Sequence, residues 1–221
     1  ADLQVEVMGR YQAVFLSVGA HGGRKLRIPG ADLPGVLVNT TFLRETALGH
    51  GPDLSGKRVL VVGGGNVAMD CARTAVRLGA AQVKAACLES CDLMPAHPWE
   101  VDEAREEGVE ILNAYNFLEI VQQDGHVSGM RCCQVDFHCF LPDGRPDMDI
   151  LEGTDQVIPA DVIIFAIGQG AETAFLAEAG VQLNRNGTIV VDKDTLATGR
   201  AGVFAGGDMV TGPTLVVAAI A

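Results

Sequence analysis

Residues 58–80 read RVLVVGGGNVAMDCARTAVRLGA, and this stretch decides the fold. A strand-like run, 58–62, enters three consecutive glycines. A helical run over about 66–78 follows, and Gly79 ends it. Gly63-x-Gly65-x-x-Ala68 fits the GxGxxG/A fingerprint of a dinucleotide-binding turn. In such a turn the first glycine allows the sharp bend, the second lets the backbone approach a pyrophosphate, and the third small residue lets helix and strand pack closely. Free N–H groups and the dipole at the helix start hold the phosphate charge. The expected contacts are Gly63, Gly64, Gly65, Asn66, Val67 and Ala68. A glycine-rich packing turn without a ligand is the alternative, and the strand before and the helix after argue against it.

The pattern repeats outward. QVKAACL (82–88) reads as the next strand, PWEVDEAREEG (98–108) as a helix with Pro98 in its first turn, and VEIL (109–112) as a third strand. Strand–helix–strand–helix–strand is a doubly wound parallel arrangement. Residues 116–144 change character: alternating strands punctuated by Asp124-Gly125 and Asp143-Gly144 predict an antiparallel meander. YQAVFLSVGA (11–20) and DVIIFAIGQ (161–169) read as buried strands entering glycine turns. NTTFLRETAL (39–48) reads as a short helix capped by Asn39 or Thr40, and VQLNRNGTIVV (181–191) as a hairpin turning at Asn186-Gly187.

Composition excludes several classes of partner. The net charge is −12 and the 16 Lys and Arg are scattered, which disfavours nucleic acid and anionic membrane surfaces. No apolar run is long enough to span a bilayer, and the first ten residues have no basic-then-apolar signal pattern, so a cytoplasmic protein is expected. Cys71, Cys87, Cys91, Cys132, Cys133 and Cys139 form no CxxC pair. CLESC and CCQVDFHC, with His138, invite a metal reading. Buried small hydrophobes in a reducing compartment fit the spacing better, and no metal site is expected. The five histidines are scattered and read as surface or structural residues.

The end of the second strand should read the ribose. An acid there bonds the 2′-hydroxyl of NAD, whereas arginine suits the 2′-phosphate of NADP. Glu89 stands at that end, and no Lys or Arg follows it before Arg105. NADH is therefore favoured over NADPH. A solvated loop carboxylate is the alternative for Glu89.

Four segments in this order, VVGGGNVAMDCARTAVRLGA, MPAHPWEVDEAREEGVEI, DVIIFAIGQ and GVFAGGDMVTGPTLVVAAIA, resemble the small (beta) subunit of bacterial glutamate synthase and its relatives. The resemblance covers almost the whole chain. It implies a flavoprotein oxidoreductase with two dinucleotide-binding domains, in which an α/β, Rossmann-like nicotinamide domain is inserted into an FAD domain. It implies hydride transfer from NAD(P)H to FAD, with electrons passing on to iron–sulfur or catalytic partner subunits. It also implies that Gly19, Gly168, Gly207, Asp208 and Thr214 belong to cofactor-binding segments, with Asp208 contacting FAD.

The family's own FAD fingerprint and the cysteine-rich iron–sulfur region before it have no counterpart in the 221 residues. The FAD domain is accordingly expected to be partial, and the isolated chain to bind little FAD and to be inactive. The family's glutamate synthase subunit carries paired arginines after the second strand. Leu88 and Glu89 stand at the matching positions here, which again favours NADH. The expected divisions are 1–55 (partial FAD domain), 56–160 (nicotinamide domain) and 161–221 (FAD domain, C-terminal part). Residues 11–20 and 161–168 are expected to share a sheet. Because the cofactors carry hydride chemistry, no catalytic side chain is expected. No Tyr-x-x-x-Lys pair supports a stand-alone dehydrogenase. A dinucleotide-binding sensor or interaction module without turnover is the reading outside enzymology.

Overall fold

A computed structural model describes residues 9–142, 144–214 and 216–220. The signal-pattern reading of the first ten residues falls mostly outside these, as does Asp143 of the second meander turn. The described chain divides into two compact units. One is continuous, Gly23–Ile167; the other gathers residues up to Gly22 and from Gly168 onward.

The continuous unit is built on a five-stranded parallel sheet. Its order is Val36–Val38, Val162–Phe165, Arg58–Val62, Gln82–Ala86, Glu110–Leu112. Both faces are covered, so the central strand is apolar from Val59 to Val62, after Arg58 at its start. Alternation sorts its residues between the two covers. Val59 and Val61 face a cluster with Met69, Ala72 and Ala75 of the helix Asn66–Arg77 and Val101 and Ala104 of the helix Pro98–Glu106. Leu60 and Val62 face a second cluster with Phe117, Ile120, Met130 and Ile158 of an antiparallel sheet. That sheet pairs Gln156–Pro159, His126–Phe140 and Tyr115–Gln123. Its hairpin turns at Asp124 (φ 52°) and Gly125 (φ 78°), the two successive positive φ values that a tight two-residue hairpin requires. The far half of His126–Phe140 runs on past its partner Tyr115–Gln123 and pairs with Pro146–Ile150.

Among the ion pairs of this unit are two that join separate elements around the glycine turn's strand and helix. Asp161 accepts hydrogen bonds from Arg58 at the backbone N (2.8 Å), Nε (3.1 Å) and Nη2 (2.6 Å). It thereby aligns the starts of two neighbouring parallel strands. Arg73, on the first helix after the glycine turn, reaches Glu100 (3.5 Å) and Glu107 (2.8 Å) from the next helix.

In the discontinuous unit, Val14–Leu16 pairs in parallel with Val203–Ala205. Its core gathers Leu16, Leu176, Val181, Ile189, Val203, Ala205 and Met209.

Several expectations are corrected. The divisions at 55/56 and 160/161 move to 22/23 and 167/168, because Val36–Val38 and Val162–Phe165 pair within the central sheet. Residues 11–20 and 161–168 therefore lie in different sheets, and the two ends of the chain are joined through 14–16 and 203–205 instead. Val14–Leu16 is only partly buried, with Phe15 56% exposed. The helix Asn39–Ala47 has Val38 as its N-cap, with no side-chain cap. Cys71, Cys87, Cys132 and Cys133 are buried as expected, but Cys91 and Cys139 are exposed. Among the described residues, no helix is long and apolar enough to cross a membrane.

The Arg58 guanidinium and backbone hold the Asp161 carboxyl down to about 2. A carboxyl with a lowered folded-state pKa stabilises the fold above its ordinary range, and that contribution is lost as pH falls toward its folded value. Asp161→Asn is expected to cost about 1 kcal/mol at neutral pH, discounted because both partners are partly exposed. The cost should vanish between about pH 4 and about pH 2, as measured by denaturant unfolding across that range.

Candidate functional site

Each glycine of the turn has a different neighbour. Gly63 has φ 141°, and a Cβ built there would lie 2.3 Å from the Ala166 carbonyl oxygen. Its N–H donates to Ala86 O (2.8 Å), and Ala166 N donates to Val62 O (2.8 Å). The chain thus leaves the sheet between its two neighbouring strands, at their carboxyl ends, where ligands of doubly wound sheets bind. At Gly64 a Cβ would lie 2.9 Å from Cys87 Cβ and 3.1 Å from Glu89 Oε2. At Gly65 a Cβ would meet nothing within 4 Å, and the residue's φ is −92°. Neither packing nor backbone strain calls for glycine at 65. Its value is the open space over the backbone.

Gly65 is the N-cap of the helix Asn66–Arg77, and no side chain caps that end. Val67 is partly buried, and Ala68 is fully buried in the helix–sheet cluster, as the third position of the fingerprint demands. The turn is braced from outside. Ala96 N donates to Gly64 O (3.0 Å), and His97 N donates to Asn66 Oδ1 (2.8 Å). The His97 ring stacks on the exposed Trp99 at 4.3 Å.

Glu89 is 9% exposed, so the reading of a solvated loop residue fails. Its carboxylate lies against the glycine turn, and its backbone carbonyl accepts from Ala114 N (3.1 Å) and Asn113 Nδ2 (3.2 Å). Burial, and then the neighbouring Glu89 charge, push the Cys87 thiol up to about 12, which removes it as a nucleophile at neutral pH. Leu88 turns away and packs with Cys133, Val135 and Phe137.

The second group of expected residues belongs to the discontinuous unit. Gly206 N donates to Leu16 O (3.1 Å), and a Cβ on Gly206 would lie 2.7 Å from the Phe15 ring. Gly207 follows at φ 64°, then Asp208, whose Oδ1 is buried without a hydrogen-bond partner among the described residues. A buried carboxylate oxygen without a partner is costly and fits a site completed by a bound donor group. Gly19 has φ 72° and Gly168 φ 107°, both turn conformations that favour glycine; Thr214 is exposed. The structure therefore brings Glu89 against the glycine turn at Gly64 and places Gly207 and Asp208 after the Val203–Ala205 strand. Sequence reading missed Ala96 and His97 as supports of the glycine turn, and Asn113 and Ala114 as supports of the Glu89 segment. The MPAHPWE motif marked the first two, but its wording alone carries no contact.

A parallel sheet with a braced glycine turn, inserted within a second, discontinuous unit, defines an α/β dinucleotide-binding protein. The chain belongs to the pyridine nucleotide-disulphide oxidoreductase family, which matches residues 5–221. It is 41% identical, over its full length and 31% of the relative's, to the NADP(+)-dependent formate dehydrogenase subunit beta of Moorella thermoacetica. It is 36% identical to the glutamate synthase [NADPH] small chain of Escherichia coli, over all of this chain and 50% of that one. The chain thus spans about a third to a half of these relatives. Among solved structures, Mycobacterium tuberculosis FprA in complex with NADPH superposes with a TM-score of 0.75 at 20% identity, over 96% of this chain and 61% of that one. T. acidophilum thioredoxin reductase superposes with a TM-score of 0.71 at 23% identity, over 94% of this chain and 60% of that one. These two likenesses share the fold.

The glycine environments predict opposite outcomes for matched substitutions. Gly63→Ala should destabilise by about 3 kcal/mol, because both the backbone conformation and the Ala166 carbonyl oppose a side chain. Gly65→Ala should stay within about 0.5 kcal/mol of the unsubstituted protein. Urea denaturation midpoints of the two variants check this.

Proposed function

We propose that the continuous unit binds a nicotinamide dinucleotide by its pyrophosphate at Gly63–Ala68, and that the whole protein is an FAD-dependent NAD(P)H oxidoreductase. The open space over Gly65, at the uncapped start of the helix Asn66–Arg77, carries this reading. Backbone N–H groups and the helix dipole are directed there, a suitable seat for two phosphate charges. Asp208 in the discontinuous unit fits a flavin contact, since its buried Oδ1 has no hydrogen-bond partner among the described residues. When bound, the reduced nicotinamide supplies a hydride and the flavin accepts it. The chain's residues bind and orient the two, and none is required to move a proton. Electrons then pass to iron–sulfur or catalytic partner subunits. Support for that step comes from relatives that are themselves called a subunit and a small chain.

NADH is the proposed coenzyme. Glu89 lies against the glycine turn, and no Lys or Arg lies between it and Arg105 to meet a 2′-phosphate. The names of the relatives point the other way, to NADP(+) or NADPH. The proposal rests on the local chemistry of Glu89 against that trend. A charge-assisted hydrogen bond from the ribose hydroxyl to Glu89 is worth about 1.5–3 kcal/mol, enough for a tenfold or greater preference.

The test is titration of the full-length protein with NADH and NADPH, following flavin bleaching anaerobically and binding by calorimetry. The unsubstituted protein should bind NADH at least about tenfold more tightly than NADPH. Glu89→Arg should reverse the order, since a guanidinium grips phosphate in bidentate fashion. Leu88 is left unchanged, because an arginine there would enter the apolar cluster of Cys133, Val135 and Phe137. Equal or tighter NADPH binding by the unsubstituted protein would contradict the NADH assignment. Loss of both coenzymes in Gly65→Val, with stability kept, would support the pyrophosphate seat.

A further inference from the structure

Only Asn113 and Ala114 separate the strand Glu110–Leu112 from Tyr115–Gln123. Ala114 has φ 62°, a left-handed conformation that residues with a Cβ adopt only where their surroundings hold them. Those surroundings are the end of the second strand. Ala114 N donates to Glu89 O (3.1 Å), Tyr115 N donates to Cys87 O (2.9 Å), and Cys87 N donates to Leu112 O (3.0 Å). On its other side, Ala114 O accepts from Val135 N (3.0 Å) of the long meander strand. A two-residue turn is thereby clamped between the antiparallel sheet and the segment that carries Glu89.

The Asn113 side chain occupies the centre of this clamp. Its Nδ2 donates to Glu89 O (3.2 Å) and also contacts Cys87 Sγ (3.4 Å) and Met94 Sδ (3.5 Å). The Glu89 carbonyl is an acceptor, so the NH₂ end of the amide must face it. One amide therefore spans the chain from two residues before Glu89 to five after it. Beyond Met94 lie Ala96 and His97, which brace the glycine turn through Gly64 O and Asn66 Oδ1. The Glu89 backbone is pinned by Asn113 on one side, while its carboxylate lies against Gly64 on the other.

We propose that Asn113 is a positioning residue for coenzyme choice: its amide holds the Cys87–Met94 segment so that the Glu89 carboxylate is fixed where the ribose is read. The proposal rests on the assignment of Glu89 given above. Asn113 does not touch the coenzyme; it acts through Glu89.

The test measures NADH and NADPH affinities of the full-length protein by calorimetry, in four forms: unsubstituted, Asn113→Ala, Glu89→Ala and the double variant. Asn113→Ala should lower the NADH-to-NADPH affinity ratio by about three- to tenfold, the range set by one hydrogen bond. The double variant should be no less selective than Glu89→Ala alone, because the two residues act through one atom group. If Glu89→Ala lowers the ratio while Asn113→Ala lowers only the melting temperature, Asn113 is structural and the proposal falls while the reading of Glu89 stands. If Glu89→Ala leaves the ratio unchanged, both fall together. Should Asn113→Ala fail to fold, Asn113→Asp carries the same test. It keeps the shape and sets an acceptor oxygen against the Glu89 carbonyl; an unchanged ratio there overturns the proposal equally.

Discussion

The absence of a Cβ at Gly63 is the constraint on which the rest of the site depends. The Ala166 carbonyl occupies the place a side chain would take. That contact exists because Val162–Phe165 pairs in parallel beside Arg58–Val62, a pairing set at its other end by Arg58 and Asp161. With Gly63 in place, the chain turns sharply out of the sheet and starts a helix over the carboxyl ends of the strands. The helix can lie close because Ala68 and Ala72 are small and buried against the sheet. Any side chain at 63 would clash with the Ala166 carbonyl and part the turn from the sheet.

The second constraint is the mutual fit of Gly64 and the segment 87–89. Glycine at 64 leaves room for Cys87 and the Glu89 carboxylate, while Asn113 and Ala114 hold that segment from behind. On the reading proposed above, a carboxylate at this point would disfavour a further phosphate on the ribose by simple charge repulsion, and its low exposure would strengthen the effect. On that reading, selection between two coenzymes that differ by one phosphate would reduce to the sign of one group and the rigidity of its support.

Much of this was legible in the sequence, for local reasons. The glycine spacing, the apolar strands and the helix stop at Gly79 are short-range signals, and the structure bears them out in the strand Arg58–Val62 and the helix Asn66–Arg77. The unit boundaries were not legible, because Val36–Val38 and Val162–Phe165 are short apolar runs whose sheet is chosen by distant partners. The same limit hid the supports of the site. Asn113 is an unremarkable polar residue in sequence, and Ala114 carries no mark of a positive φ. Their role comes from hydrogen bonds to residues 19 to 26 positions away. Exposed Cys91 and Cys139 likewise departed from the apolar pattern of their neighbours.

The most direct test of the central claim, a pyrophosphate seat at the glycine turn, is amide hydrogen exchange in the full-length protein with and without saturating NADH. The helix start at Asn66–Arg77 and the bracing segment around Ala96 and His97 should exchange more slowly with NADH bound, as the amides over Gly65 acquire an acceptor. Saturation by NADH with exchange across residues 63–68 unchanged would contradict the account.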